Sequence, residues 1–287
     1  MTRTCTLLIG AAILVGCTNA PSDTLHDPLT PTVVEKGRYL THTLAACGFC
    51  HGATAVPGAP LTGGRPYYDI YGEVTVPNLV PETGRSVDWT TFDLMRVIRG
   101  SRRPDDEVIS PTAHRGYEWM SDDDAHAIVS YLRVLPRSGN PTERRSISFL
   151  DRNTVGFFAP PAREVRGYIP AITPQYQLEY GAYLVDHVAR CVNCHNTPGT
   201  FFSSEEYLGG GGIVKTDAGE KAAPGITSDM VTGVGGWSDA QIVAYLRTGV
   251  APDGRQVDQR FCPTAFYARA EDQDLEAIAA HLKRVRR

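Results

Sequence analysis

The feature of this sequence that most limits its possible folds is an internal repeat with a period of about 145 residues. Residues 37–40 read Gly-Arg-Tyr-Leu, and residues 181–184 read Gly-Ala-Tyr-Leu. Each segment begins ten residues before a Cys-x-x-Cys-His motif. The chain has 287 residues, which is long enough for two small domains. The repeat therefore predicts two units with the same fold.

Apolar residues with i, i+4 and i+7 spacing lead into each motif, which predicts an amphipathic helix with the cysteines at its C-terminal end. These residues are Leu40, Leu44 and Cys47 in the first half and Leu184, Val188 and Cys191 in the second. Two more helices are predicted in each half: one stopped by Gly100 or Gly249, and a final one with a single apolar stripe. Ser121, with Asp124 three residues later, is a start signal for the final helix of the first half.

Long glycine- and proline-rich loops at residues 56–66 and 209–225 separate these helices. Neither half shows a period-two alternation, so we expect little sheet and an all-α fold class. Loops of this length need something other than side chains to fill the middle of each domain. The expected boundaries are a signal peptide at 1–16, a tether at 17–32, helical domains at 33–136 and 175–287, and a connector at 137–174. Phe149, Phe157 and Phe158 predict that the connector packs on the domains.

The N-terminal segment resembles an export signal. Arg3 gives a positive start before an apolar run at residues 7–15, which is too short to span a bilayer. An ordinary buried helix is the alternative. The run ends in Leu-Val-Gly-Cys, which resembles the lipobox of bacterial lipoproteins and implies cleavage before Cys17 and a lipid on that cysteine. The chain is therefore expected on the periplasmic or cell-surface side of a bacterial membrane, anchored by lipid.

The charge composition argues against one class of partner. Lys and Arg number 28 against 32 Asp and Glu, which gives a formal net charge of -4, and the sequence contains no basic stripe. Nucleic-acid binding relies on clustered positive charge, so no nucleic-acid partner is expected. Hydrophobic residues make up 42% and charged residues 21%, which favours a folded, water-facing body over a disordered or polytopic membrane protein.

The two cysteine motifs have the spacing of c-type haem attachment sites. On a helical turn, cysteines at i and i+3 share one face and can form thioethers to a haem, while the histidine at i+4 can ligate the iron. The predicted attachment residues are Cys47, Cys50, Cys191 and Cys194, and the predicted iron ligands within the motifs are His51 and His195. Two covalently bound haem c groups are therefore the expected cofactors.

Two other interpretations fit the cysteine pairs less well. A zinc ribbon also uses two Cys-x-x-Cys pairs, but about 15 to 20 residues apart, whereas a whole domain separates Cys50 from Cys191. A thiol–disulfide motif explains neither the histidines nor the repeated helical context. A haem in each half would also fill the space that the long loops enclose.

With these motifs, nearly the whole mature chain resembles the tandem di-haem class I cytochrome c family. It is similar in particular to the cytochrome subunits that accept electrons from membrane-associated bacterial dehydrogenases. The matching segments are the two motifs, residues 77–79, 83–84 with Trp89, 117–122, 233–239 and 253–255. The resemblance implies two cytochrome c-like domains, each wrapped around one covalent haem, and electron transfer between a redox protein donor and an acceptor.

The sequence departs from that family at the second axial ligand of each iron. The family places a methionine five residues before the tyrosine that leads into the last helix, but Thr112 and Cys262 stand there. Cys262 is the predicted ligand of the second haem, because a thiolate binds ferric iron, and a small buried thiol beside an open haem face is the alternative. His114 is the predicted ligand of the first haem, and a solvated loop histidine is the alternative. In the family, the residue at Met120 packs where the last helix begins.

Other residues near the motifs are expected to have supporting roles. The loops at Pro57 and Pro198 are expected to offer the backbone carbonyl that fixes the ring of each motif histidine. His42, His187 and His281 lie beside apolar stripes and are expected to be structural rather than ligands.

The sequence thus predicts an exported, membrane-tethered electron carrier that needs no catalytic acid, base or nucleophile. Two haems with different distal ligands are expected to have two reduction potentials. The alternative is a haem enzyme, in which an open or Cys-ligated iron acts on peroxide or on a sulfur compound such as thiosulfate.

Overall fold

The computed structural model describes residues 29–110, 112–154, 165, 167–199 and 203–286. The predicted signal peptide and most of the tether, including Cys17, lie outside these ranges, as do Phe157 and Phe158. Across the described ranges, no helix combines the length and the apolarity that crossing a membrane requires. Export and lipid anchoring therefore remain predictions.

The structure describes four α-helices in the first half: α1 at Pro31–His42, α2 at Cys47–His51, α3 at Thr91–Gly100 and α4 at Asp122–Val134. The last two lie where the sequence pattern predicts them, whereas the predicted first helix is divided into α1 and α2. The hydroxyls of Thr30, Thr90 and Ser121 accept hydrogen bonds from backbone amides in the first turns of α1, α3 and α4. Such capping explains why these helices start at these residues, and it confirms the start signal at Ser121.

The second half repeats this order after a short connector helix, α5, at Phe149–Asn153. Its helices are α6 at Gln177–Tyr183, α7 at Val192–His195, α8 at Asp239–Thr248, α9 at Thr264–Tyr267 and α10 at Asp272–Leu282. A π-helical turn at Leu184–Val188 continues α6. The final helices of the two halves, α4 and α10, contain the apolar stripes that the sequence predicts for them. The division into two separate domains stays a prediction.

Two short hairpins correct the all-α expectation. β1 at Pro66–Asp69 pairs antiparallel with β2 at Gly72–Thr75, and β3 at Ile213–Thr216 pairs in the same way with β4 at Gly219–Ala222. Gly72 and Gly219 have φ angles of 92° and 114°, a left-handed backbone that closes each tight turn. A four-residue strand presents only two residues to each face, so its alternation is too short to detect in the sequence. Within the described residues, the regular structure is therefore mainly helical, with a short hairpin in each half.

A break in the backbone separates each long helix from its cysteine motif. α1 ends at His42, and Cys47 starts a new helix instead of extending the first one. Ala46 and Arg190, which directly precede the two motifs, have φ angles of 45° and 53°. Residues with positive φ cannot continue a right-handed helix. The prediction that the cysteines end the preceding helix is therefore wrong, because they lie on a separate turn.

In each half, the first and last helices cross where a glycine brings them into close contact. A Cβ atom on Gly37 of α1 would lie 1.8 Å from the carbonyl oxygen of Ala127 in α4. A Cβ atom on Gly181 of α6 would lie 2.0 Å from the carbonyl oxygen of Ala277 in α10. Only glycine permits so close a crossing. The buried core around the crossings includes Leu40, Leu44, Met120, Ile128, Leu184, Leu275 and Ile278.

The two halves exchange a pair of tyrosine contacts that the repeat relates to each other. Tyr39 donates to Asp274 in α10 at 2.5 Å and accepts, at 2.9 Å, from the amide of the residue that precedes this helix. Tyr183 likewise donates to Asp124 in α4 and accepts, at 3.1 Å, from the amide that precedes α4. Each tyrosine therefore satisfies polar groups at the start of the other half's last helix.

The connector is attached to the first half by polar contacts. The Asn78 amide donates to two connector carbonyls, at 2.8 and 3.1 Å. Arg145 forms a two-pronged ion pair with Asp69, with distances of 2.9 and 2.6 Å. Phe149 is 83% exposed, so these contacts of the connector do not involve that aromatic side chain. The paired hydrogen bonds between Arg145 and Asp69 fix the orientation of the two side chains as well as pairing their charges.

We expect Gly37→Ala to lower the free energy of unfolding by about 3 kcal/mol, because the new methyl group would overlap a carbonyl oxygen of α4. Thermal unfolding should show this as a fall in Tm of about 6 to 12 °C. Gly100→Ala is the matched control, since its Cβ atom would have no neighbour closer than 4.0 Å. Its Tm should stay within about 2 °C of the wild type. Equal melting of the two variants would contradict the close crossing.

Candidate haem sites

Each cysteine motif forms one short helical turn. α2 carries Cys47, Cys50 and His51, and the matching residues of the second half lie on α7 and the residue before it. The four motif cysteines are free thiols, and each is partly buried. Their i, i+3 spacing presents both sulfur atoms of a motif to the same side of the turn as its histidine. Each turn thus offers two thiols for covalent bonds and one imidazole for a metal.

The motif histidines are oriented by backbone carbonyls from distant loops. Nδ1 of His51 donates to the carbonyl of Pro77 at 3.0 Å, and Nδ1 of His195 donates to that of Pro224 at 2.7 Å. The loops at Pro57 and Pro198 were predicted to make these contacts, and that prediction is wrong. Extended backbone directly after each motif carries the next residues away from the ring. The carbonyl therefore comes from loops that return 26 and 29 residues later.

A proton on Nδ1 leaves Nε2 of each motif histidine with a free lone pair, which is the form that binds a metal. Burial lowers the pKa of both His51 and His195, and this keeps the rings neutral near pH 7. The carbonyl partner also makes the ring a better ligand. These features fit an axial ligand of haem iron in both halves.

The ring of His114 lies close to the ring of His51. Its Nδ1 donates to the carbonyl of Val97 at 2.8 Å, so its Nε2 is also free. The two ring centres are 6.3 Å apart. An iron shared by two imidazoles separates their centres by about 6 Å, since each iron–nitrogen bond is about 2 Å and each ring contributes about 1 Å. The observed spacing fits an iron between them.

The surroundings of His114 differ from those of a solvated loop histidine. Burial, followed by the charges of Arg190 and His51, lowers the pKa of His114 to about 3. The ring is therefore neutral and able to ligate at any physiological pH. Thr112, which stands at the family's methionine position, has its hydroxyl 3.1 Å from the hydroxyl of Tyr67. Met120 is fully buried in the core, as expected.

Cys262 lies on the loop that leads into α9, and its side chain is partly buried. Burial, with a contribution from Cys194, raises the pKa of the Cys262 thiol to about 12, while the amide of Thr264 opposes the shift. A bound cation favours the thiolate and would act against that rise. The assignment of Cys262 as an iron ligand stays a prediction.

The three histidines that the sequence predicts to be structural each have a protein partner. His42 Nε2 lies 2.8 Å from the hydroxyl of Tyr131, and His281 Nε2 lies 2.9 Å from that of Tyr207. Nδ1 of His187 donates to the backbone carbonyl of Gly116 at 2.8 Å.

The two motifs lie close to each other across the boundary between the halves. Burial raises the pKa of Cys194, the positive charge of Arg190 opposes this rise, and Cys50 of the first motif adds to it. Phe49, inside the first motif, packs edge-on against Phe266 of α9 with ring centres 6.4 Å apart. Sequence analysis missed Arg190, although comparing the repeats shows an arginine before the second motif where the first has alanine.

Two thiols and an imidazole on one turn, with a second imidazole from His114 close to the first motif, fit the donor set of a c-type cytochrome. The chain is related to the cytochrome c subunits of bacterial dehydrogenases. It is 27% identical to the fructose dehydrogenase cytochrome subunit of Gluconobacter japonicus over 97% of the chain and 57% of that protein. It is 26% identical to the gluconate 2-dehydrogenase cytochrome c subunit of Pantoea cypripedii over 90% of the chain and 60% of that protein.

A third relative is closer to the chain in length. The diheme cytochrome c-type protein of Cereibacter sphaeroides is 28% identical over 83% of the chain and 81% of that protein. The chain thus spans little more than half of the two dehydrogenase subunits, but most of the diheme protein. No family model matches the sequence.

Removing one candidate distal ligand should change one haem and leave the other as it was. In ferric electron paramagnetic resonance spectra, we expect His114→Ala to convert about half of the low-spin iron to high-spin iron. Cys262→Ser should instead alter the other low-spin component, because an alcohol is a weaker ligand than a thiolate. Spectra of both haem-loaded variants that match the wild type would show that neither residue binds iron.

Proposed function

We propose that the chain is an exported di-haem c-type cytochrome that passes single electrons from a dehydrogenase or a quinol-oxidising donor to a downstream acceptor. The observation that carries this proposal is the pair of matching sites, each with two free thiols and a carbonyl-oriented histidine. The relatives, whose names include dehydrogenase cytochrome subunits and a diheme cytochrome, support it.

The residues of each site would divide the work of holding a haem. A bound haem iron provides a ferric–ferrous couple that carries one electron. Cys47 and Cys50, or Cys191 and Cys194, would hold the group through thioether bonds. The motif histidine would ligate from one side, with its ring held by the carbonyl of Pro77 or Pro224. The protein's own contribution is thus attachment, orientation and exclusion of water.

Different distal residues would give the two sites different reduction potentials. The first site offers a neutral imidazole from His114, and the second offers the thiol of Cys262. A thiolate stabilises the ferric state more strongly than an imidazole does, so the second haem would have the lower potential. Electrons would therefore move downhill from the second site to the first.

The closeness of the two motifs supports transfer inside the molecule. Phe49, inside the first motif, packs edge-on against Phe266 of the second half. Arg190, directly before the second motif, donates to the carbonyl of Ala113, next to His114 of the first site. A short separation favours rapid transfer between two bound haems, so one chain would act as a two-step relay.

The partners and location follow from the same proposal. A lipid on Cys17 would tether the body to a bacterial membrane, on the periplasmic or cell-surface side, where membrane-associated dehydrogenases release electrons. The donor and acceptor would be redox proteins, as the names of the dehydrogenase subunits suggest.

The alternative of a haem enzyme is not favoured, because the names of these relatives describe cytochrome subunits. A filled sixth position at the first site would also leave no iron open to peroxide there.

A redox titration of the purified protein tests the relay. We expect two one-electron waves separated by more than about 60 mV, which is the span of one decade for a one-electron couple. Cys262→Ser should move only the lower wave, and it should move that wave to higher potential. A single wave that accounts for both irons would contradict the assignment of different distal ligands.

A further inference from the structure

Arg190, from the second half, holds the loop that carries His114 in the first half. Its Nη1 donates to the carbonyl of Ala113 at 2.7 Å and to that of Arg115 at 3.3 Å. These two carbonyls directly flank His114. The guanidinium also lies over the ring of Tyr117, with its central carbon 4.0 Å from the ring centre. One side chain therefore fixes the backbone on both sides of a candidate iron ligand.

The surrounding backbone is built for this contact. Arg190 has a φ of 53°, which ends the π-helical turn and lets its side chain reach the other half. Gly116 has a φ of 101°, and a Cβ atom there would lie 2.8 Å from the carbonyl of Asp186 and 3.0 Å from Cγ of Arg190. His187 donates to the carbonyl of Gly116 from the same turn. The loop at residues 113–117 therefore rests on the π-helical turn of the second half.

The repeat provides an internal comparison for this contact. The residue that matches Arg190 in the first half is Ala46, which has the same left-handed backbone but no donor in its side chain. The residue that matches His114 in the second half is Thr264. The contact between Arg190 of the second half and the His114 loop of the first half thus has no equivalent at the repeat-related place, where Ala46 and Thr264 stand.

We propose that Arg190 is a positioning residue that holds His114 at the sixth coordination position of the first haem. This inference rests on the proposed function, since it requires haem at the first motif. It makes the ligation of the first haem depend on the second half of the chain. The planar guanidinium stacks on Tyr117 and so directs one nitrogen at both carbonyls, whereas the ammonium of lysine has no flat group to stack in this way.

The test uses the full-length, haem-loaded protein with Arg190→Met or Arg190→Lys. Arg247→Met is the matched control, because Arg247 also donates to a backbone carbonyl, that of Ala268 at 2.9 Å, but in the second half. Cyanide binding to the ferric protein measures how often the sixth position is open. We expect binding at one haem to be faster by about tenfold or more in both Arg190 variants, with a new high-spin resonance signal. The control should behave as the wild type does.

Wild-type cyanide rates in both Arg190 variants would overturn the proposal. Wild-type rates in Arg190→Lys alone would also overturn it, because a positive charge would then be sufficient without the planar group that stacks on Tyr117. If Arg190→Met fails to fold, Gly116→Ala tests the contact from the loop side while Arg190 remains in place, and it should show the same acceleration.

Haem content, measured by absorbance, distinguishes failure of the proposed function from failure of the positioning role. A wild type without haem would refute the proposed function. Haem-loaded variants with unchanged cyanide rates would refute only the role of Arg190.

Discussion

Each half of the molecule is arranged around one helical turn on which two thiols and an imidazole must face the same side. A left-handed residue, Ala46 or Arg190, separates that turn from the long helix before it. The glycine-rich loops that follow return a carbonyl, from Pro77 or Pro224, to the histidine ring. Such loops enclose few side chains, so the proposed haem would take the place of a larger apolar core.

Sequence patterns were sufficient to predict the helices whose positions depend on the spacing of neighbouring residues and on capping side chains. Helical spacing and the cap at Ser121 placed α4, and the repeat placed α10 in the same way. The parts that depend on long-range contacts were not predictable. The hairpins are too short to show alternation, and the carbonyls of Pro77 and Pro224 come from loops whose return path no local pattern records.

The same distinction applies to the candidate sites. The five-residue motif identifies its thiols and its histidine, because its spacing is itself the requirement of the chemistry. His114 was one of two open interpretations, and the 6.3 Å between its ring and that of His51 is information that only the fold provides. Arg190 was missed because its partners are backbone carbonyls far away in the sequence, although the mismatch with Ala46 between the repeats marks the position.

The boundary between the halves combines symmetry with one functional difference. Tyr39 and Tyr183 make equivalent contacts to opposite halves, whereas the Arg190 contact has no counterpart. A duplicated framework can thus give its two motifs different surroundings. The central claim is that haem is bonded to both motifs, and mass spectrometry of peptides from protein matured in a haem-loading host tests it most directly. One haem adduct on the peptide with residues 47–51 and another on the peptide with residues 191–195 is the predicted result, and unmodified cysteines in both peptides would contradict it.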